Sequence, residues 1–155
     1  NKQLSVIMEI GSYTGGNLAL LSKIIQGSDG YLIAIEPELE VNFLRSIVQE
    51  IVLPFKLLHL PMLSTDYFTI HLVSSLIQIV GKISLLFIDG DHSRESVISD
   101  FKSYYPYINS PGIIAFHDIG LVQDIRDVYN EIIEDNNFQH LEFISDSNTI
   151  GCLLV

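Results

Sequence analysis

At 155 residues and 48% apolar side chains, the chain can bury one full hydrophobic core but is too short for two ordinary domains. A formal net charge of −11 disfavours a surface that tracks nucleic-acid phosphates or an anionic membrane, and no apolar segment reaches the roughly 20 residues of a bilayer span, so a small or neutral partner fits better. Cys152 is the single cysteine, which excludes an internal disulfide framework and makes the reducing cytoplasm the expected compartment.

Along the chain, apolar runs alternate with helical patterns. Ser5 to Ile10 (SVIMEI) reads as a short buried strand. It lies so close to the first residue, Asn1, that an N-terminal segment is expected to be missing. The glycine-rich stretch GSYTGGN follows, and Leu18 to Ile25 has helical spacing. YLIAIE is a second strand ending at Glu36. Leu39 to Ile51 fits a helix, which Pro54 cannot continue. FKLLHL is a third strand, and STDYFTIHLVSSLIQIV suits a helix despite its β-branched residues. Ile83 to Ile88 is the fourth strand, SRESVISDFKSYYPYI the next helix, PGIIAFHD the fifth strand and VQDIRDVYNEIIEDN another helix. The last runs, HLEFIS and TIGCLLV, are too close together for a crossover and predict an antiparallel hairpin.

Five strand–helix alternations and a hairpin specify one α/β domain over residues 1–155 with a mostly parallel sheet. Such sheets bind ligands at the carboxyl ends of their strands, near a topological switch point. The polar residues Glu9, Glu36, Asp89, His117 and Asp118 fall at those ends.

Two constellations carry chemistry. The first is the glycine loop, Gly11-x-x-x-Gly15-Gly16, with Glu36 on the following strand. Glycines there permit a tight turn and close approach of a ligand to backbone, and a carboxylate can accept from both hydroxyls of a ribose. The spacing is neither G-x-G-x-x-G nor a P-loop, which weighs against an NAD-dependent oxidoreductase without removing it. An ordinary strand–helix turn, with Glu36 as a helix cap, is the plainer alternative.

The second constellation is Asp89, Asp91 and His92 after the fourth strand, facing His117 and Asp118 after the fifth. Carboxylates with imidazoles make a divalent-cation site: oxygen ligation favours Mg²⁺, and histidine admits Mn²⁺, Fe²⁺ or Zn²⁺. A turn in which Asp89 caps the next helix is the alternative. His59, His71 and His140 read as structural or surface residues, and Tyr104, Tyr105 and Tyr107 as packing at a helix end.

Taken together, EIGSYTGGN, AIEPE and the FIDGDHS…GIIAFHD block resemble class I S-adenosylmethionine-dependent methyltransferases, most of all the small-molecule and sugar O-methyltransferases and cephalosporin-hydroxylase-like proteins. The resemblance implies a Rossmann-like doubly wound sandwich with a seven-stranded, mostly parallel sheet and an antiparallel last strand. It implies that Glu9, Gly11 and Gly15, with Ser12 and Asn17 beside them, cradle the methionine part of S-adenosylmethionine. Glu36 would bind the ribose hydroxyls, Met62 to Ser64 would flank the adenine, and Asp89 would lie near the methionine amine. Catechol and caffeoyl-type relatives bind a divalent cation at positions matching Asp89, His117 and Asp118, with an Asp-Asn pair where this chain has His117-Asp118. They carry a lysine base where this chain has His92, a residue suited to general-base work near neutral pH. The implied activity is methyl transfer to a hydroxyl of a small molecule, in a protein that could also be a homo-oligomer. Metal-free methyl transfer, with the same acids serving only the cofactor, and a non-catalytic cofactor-binding domain are the competing readings.

Overall fold

The computed structural model describes residues 6–26, 28–37, 56–146 and 148–155. The helix expected over 39–51 lies outside them. Seven strands form one sheet: β1 Val6–Ile10, β2 Tyr31–Ile35, β3 Leu57–Leu60, β4 Ile83–Ile88, β5 Ile108–His117, β6 Gln139–Ile144 and β7 Thr149–Leu154. Their order is β3-β2-β1-β4-β5-β7-β6. The pairs from β3 to β5 are parallel, and β7 runs antiparallel to both β5 and β6. The hairpin expectation holds, as does the Rossmann-like class.

Both faces of a parallel sheet must be covered, so its central strands are apolar on both sides. All five residues of β1 are buried. Helices α2 (Tyr67–Val80), α3 (Arg94–Tyr104) and α4 (Gln123–Asn136) carry the buried residues Val73, Ile77, Val97, Phe101, Ile125 and Val128, which join Met8, Ile33, Leu86 and Ile114 in the main core. Across the sheet, α1 (Gly16–Ile25) contributes Leu18, Leu21 and Ile25, packed with Ile7, Leu32 and Phe87. Each such side chain, fully buried, is worth about 1.5–3 kcal/mol against exposure. Among the described residues no helix is long and apolar enough to cross a membrane.

Three boundaries differ from the sequence reading, each in a way that shapes the site. α2 begins at Tyr67 rather than Ser64, because Asp66 is extended; residues 61–66 are therefore a loop at the end of β3. α3 ends at Tyr104, and the turn Tyr105–Tyr107 contains Pro106, which lacks the N–H an α-helix would use. β5 begins at Ile108, three residues before Pro111, and its pairing with β4 shifts register between Ile83 and Leu85.

Strand order reverses beside β1, where the connection from β1 runs to β2 on one side and β4 enters on the other. A crevice at the carboxyl ends of β1, β2 and β4 follows from that topology.

Candidate active site

The loop from β1 to α1 is held by its own hydrogen bonds. Ser12 Oγ and Asn17 Nδ2 both donate to the Glu9 carboxylate, each at 2.7 Å. Gly15 N donates to Ser12 O at 2.6 Å, and Gly15 caps α1 with φ of 83°. Gly11 has φ of 83°, and a Cβ on it would lie 2.0 Å from the Asp89 carbonyl oxygen. The main chain there presses against the end of β4, with Asp89 N donating to Ile10 O at 2.9 Å. Glu9 is fully buried; burial pushes its carboxyl up to about 7, against the pull of Ser12 and Asn17, with the charges of Asp89 and Glu36 adding to the rise.

A cavity of about 590 Å³ opens above this loop. Gly11 and Tyr13 line it from the loop, and Glu36 and Pro37 from the end of β2. The segment after β3 brings Leu63, Ser64 and Thr65, and the end of β4 brings Asp89, Gly90 and His92. Its size is that of a pocket for one small molecule or cofactor. Glu36 is buried, and its Oε2 accepts the Tyr13 N–H at 2.6 Å, which ties the glycine loop to β2.

The wall after β3 is fixed from α3. Tyr104, fully buried, donates its hydroxyl to the Ser64 carbonyl at 2.6 Å. One helical turn earlier lies Asp100, whose carboxyl burial pushes up to about 6 against the opposing pull of the Ser64 side chain. Tyr104 therefore does pack a helix end, and in doing so it holds the cavity wall.

At the ends of β4 and β5 the two clusters meet. His117 Nδ1 lies 3.1 Å from Asp89 Oδ1 and 3.1 Å from Asp118 Oδ1. His92 Nε2 lies 3.6 Å from Asp89 Oδ1, and its Nδ1 lies 3.9 Å from Asp118 Oδ2. Asp89, His92 and Asp118 each offer an atom within 4.8 Å of the others. Asp118 sits at φ of 59°, a backbone region that Asp tolerates better than most residues. Burial raises the Asp89 carboxyl, while His117 and His92 oppose that rise.

Despite its proximity, His117 Nδ1 makes no hydrogen bond to either carboxylate: it is buried and without a partner. Among the described residues, Asp89, His92 and Asp118 are the set whose ligand atoms all lie within 4.8 Å of one another, and His117 Nδ1 stands beside both carboxylates. Neighbouring ligands on an octahedral ion with bonds of about 2.1 Å stand about 3 Å apart, and the two contacts of 3.1 Å match that spacing. By distance Asp89, His92 and Asp118 thus fit a divalent cation, and His117 Nδ1 is near enough to one oxygen of each carboxylate to join them.

Asp89 does not cap α3. Ser93 does, accepting from Ser96 N, while Asp91 accepts from the hydroxyls of Ser93 and Ser96 and is thereby held low. Of the residues expected at the cofactor, Gly11, Glu36, Ser64 and Asp89 line the cavity. Glu9, Ser12, Gly15 and Asn17 lie beneath it as braces of the loop. Leu63, in the segment expected to flank the adenine, lines it as well, and Tyr13 and Thr65 line it without having been anticipated. Their pattern in the sequence is that of any loop.

The crevice at the switch point, the acid ending β2 and the sheet order together define a class I, Rossmann-like methyltransferase domain. Residues 8–119 match the family described as a methyltransferase domain, and the chain belongs to that family, which separates it from the NAD-dependent oxidoreductases. An uncharacterized protein of Acanthamoeba polyphaga mimivirus is 34% identical over 124 residues, 77% of this chain and 52% of that protein. The chain thus spans about half the length of the curated relative it matches. The fold is shared with CalS11, a TDP-rhamnose 3'-O-methyltransferase of calicheamicin biosynthesis (TM-score 0.77, 11% identity, 97% of this chain and 71% of that one). It is also shared with the O-methyltransferase TomG from Streptomyces achromogenes, solved with SAM (TM-score 0.73, 15% identity, 99% and 74%), and with the O-methyltransferase NovP (TM-score 0.73, 14% identity, 97% and 71%).

Proposed function

We propose that this domain transfers a methyl group from S-adenosylmethionine to a hydroxyl of a small molecule in the cytoplasm, assisted by a divalent cation. The observation that carries this reading is the single cavity that has Glu36 and Gly11 on one wall and Asp89 and His92 on another. A carboxylate beside a glycine backbone suits a ribose, and an acid–histidine pair at the far end suits the reacting hydroxyl. S-adenosylmethionine supplies the methyl when bound: the O–CH₃ bond forms as the S–CH₃ bond breaks, and the electron pair stays on sulfur.

The chain's own contribution is positioning and proton transfer. Glu36 accepts from the ribose hydroxyls while its second interaction, with the Tyr13 N–H, keeps the glycine loop closed against it. Ser64, fixed by Tyr104 and Asp100, holds the wall on the nucleoside side. Asp89, His117 and Asp118 would hold the cation, which supplies a lowered pKa to an acceptor hydroxyl bound to it. His92 takes the hydroxyl proton, and Asp89 and Asp118 flank the imidazolium that results. Holding both reactants in one cavity supplies the remaining advantage, that of near-attack placement.

Calorimetric titration tests the reading directly. S-adenosylmethionine should bind and NAD should not, and Glu36→Gln should weaken S-adenosylmethionine about tenfold, the loss of one charge-assisted hydrogen bond. Binding of NAD alone would overturn the reading. S-adenosylmethionine binding with no methyl transfer to any hydroxyl would favour the non-catalytic role.

A further inference from the structure

An imidazole can serve as a ligand through Nδ1 only if the proton of the neutral ring resides on Nε2, and something must keep it there. His117 Nε2 lies 2.6 Å from the Asn148 side-chain oxygen, Oδ1. Asn148 belongs to the turn between β6 and β7, the two strands at the edge of the sheet beyond β5.

We infer that Asn148 is a positioning residue: its side-chain oxygen accepts the Nε2–H of His117 and so directs the Nδ1 lone pair at the space between Asp89 and Asp118. This rests on the cation reading for its purpose, but not for its geometry. Three observations converge. The Nε2 contact is short and polar. Nδ1 is buried and stands 3.1 Å from one oxygen of Asp89 and one of Asp118, so a ring held through Nε2 presents Nδ1 to both acids.

The third observation is that the turn is anchored. Ser145 N donates to Asn148 O at 2.9 Å, and Asn148 N donates to Ser145 Oγ at 3.1 Å. The next residue, Thr149, accepts the Gly120 N–H at 2.8 Å, which links this turn to the loop that follows Asp118. His117 itself pairs with Ile150 across the β5–β7 ladder. The antiparallel hairpin thereby reaches the site through the Asn148 side chain as well as through the β5–β7 ladder.

The test is long-range ¹H–¹⁵N correlation of the histidine rings in metal-free protein, well above the ordinary imidazole pKa, with His117 identified by the signals lost in His117→Gln. Wild type should show His117 as the Nε2–H tautomer. Asn148→Ala should turn it into a mixture or into the Nδ1–H form, and Asn148→Asp, which keeps an acceptor, should restore it. Titration with Mn²⁺ should then show affinity about tenfold weaker in Asn148→Ala, the usual scale for losing such a partner, with Asn148→Asp recovering most of it. A wild-type Nδ1–H tautomer, or an Nε2–H tautomer untouched by Asn148→Ala, would overturn the inference. Should the tautomer behave as stated while wild type binds no Mn²⁺, the cation reading fails and the role of Asn148 in fixing the ring stands.

Discussion

Where β1 turns into α1, the acceptors are matched by donors: Glu9 receives Ser12 and Asn17, Glu36 receives the Tyr13 N–H, and the backbone of Gly11 lies directly on that of Asp89. Where β4 and β5 end, the balance is the other way. Asp89 and Asp118 face two imidazoles at 3.1 to 3.9 Å, and His117 Nδ1 has no hydrogen bond at all. In the first region the braces, Glu9 with Ser12 and Asn17 and the Gly11 backbone, are satisfied as folded and should be constrained by stability. The second presents convergent donor atoms that a cation or a substrate proton would satisfy, so its residues should be constrained by chemistry. Substitutions can separate the two regions, because the first should respond in folding free energy and the second in rate.

The largest effect is expected at Gly11. Replacing it by Ala places a methyl 2.0 Å from the Asp89 carbonyl oxygen in a left-handed backbone conformation. Neither atom is at the end of a flexible side chain, so the loop or β4 must move. We expect Gly11→Ala to lose about 4 kcal/mol of stability in urea unfolding, the range of severe core strain. Gly16 is the control: a Cβ there meets nothing within 4 Å. Gly16→Ala, at the start of α1, should be neutral or stabilising by up to about 1 kcal/mol. Equal losses at both glycines would break the distinction drawn for this loop.

This contrast also marks how far the sequence alone carries. The strand–helix alternation, the hairpin, Glu36 and the acid–histidine cluster were legible, because each is a polar or turn residue interrupting an apolar run. Gly11 and Gly16 look equivalent in GSYTGGN, and only the position of β4 tells them apart. Asn148 was illegible for the same reason: it is an ordinary turn residue until the β5–β7 register places it against His117. Ser64 was correctly placed at the cavity, but its ties to Asp100 and Tyr104 depend on how α3 lies across the sheet. Glu9 shows a further limit. Its position at a strand end reads as a ligand-binding acid, whereas its hydrogen bonds make it a brace.

Glu9 gives the second prediction. Its carboxyl rises from an ordinary 4.5 to about 7 in the folded protein, so between those values the native state binds a proton that the unfolded chain has lost. The native state therefore becomes less stable as pH rises through this window. For Glu9 alone the loss is about 3 kcal/mol, and Asp100, raised to about 6, adds in the same direction. Glu9→Gln mimics the protonated form: the amide can donate to Ser12 Oγ and accept from Asn17. Its stability should match wild type at low pH and exceed it by about 3 kcal/mol above neutrality. Urea unfolding across the window measures both curves, and parallel curves would show that Glu9 is ionised throughout.

His92 supplies the smallest expected effect and the finest division of the second region, since its ring is near enough to Asp89 and Asp118 to be either a base or a further ligand. As a base it acts only on the substrate proton. His92→Ala should then lower kcat about 100-fold, a typical worth of general-base catalysis, equivalent to about 2.7 kcal/mol of transition-state stabilisation. Its urea midpoint should stay within about 0.5 kcal/mol of wild type, because the ring is partly exposed and makes no hydrogen bond on which the fold depends. The deciding measurement is Mn²⁺ affinity. Asp118→Ala removes a proposed ligand and should weaken the ion at least tenfold, while His92→Ala should leave it unchanged. A loss in His92→Ala as large as that in Asp118→Ala would move His92 from base to ligand. The proton would then have to leave through the solvent that reaches the exposed side of the cluster, because among the described residues no other imidazole lines this cavity.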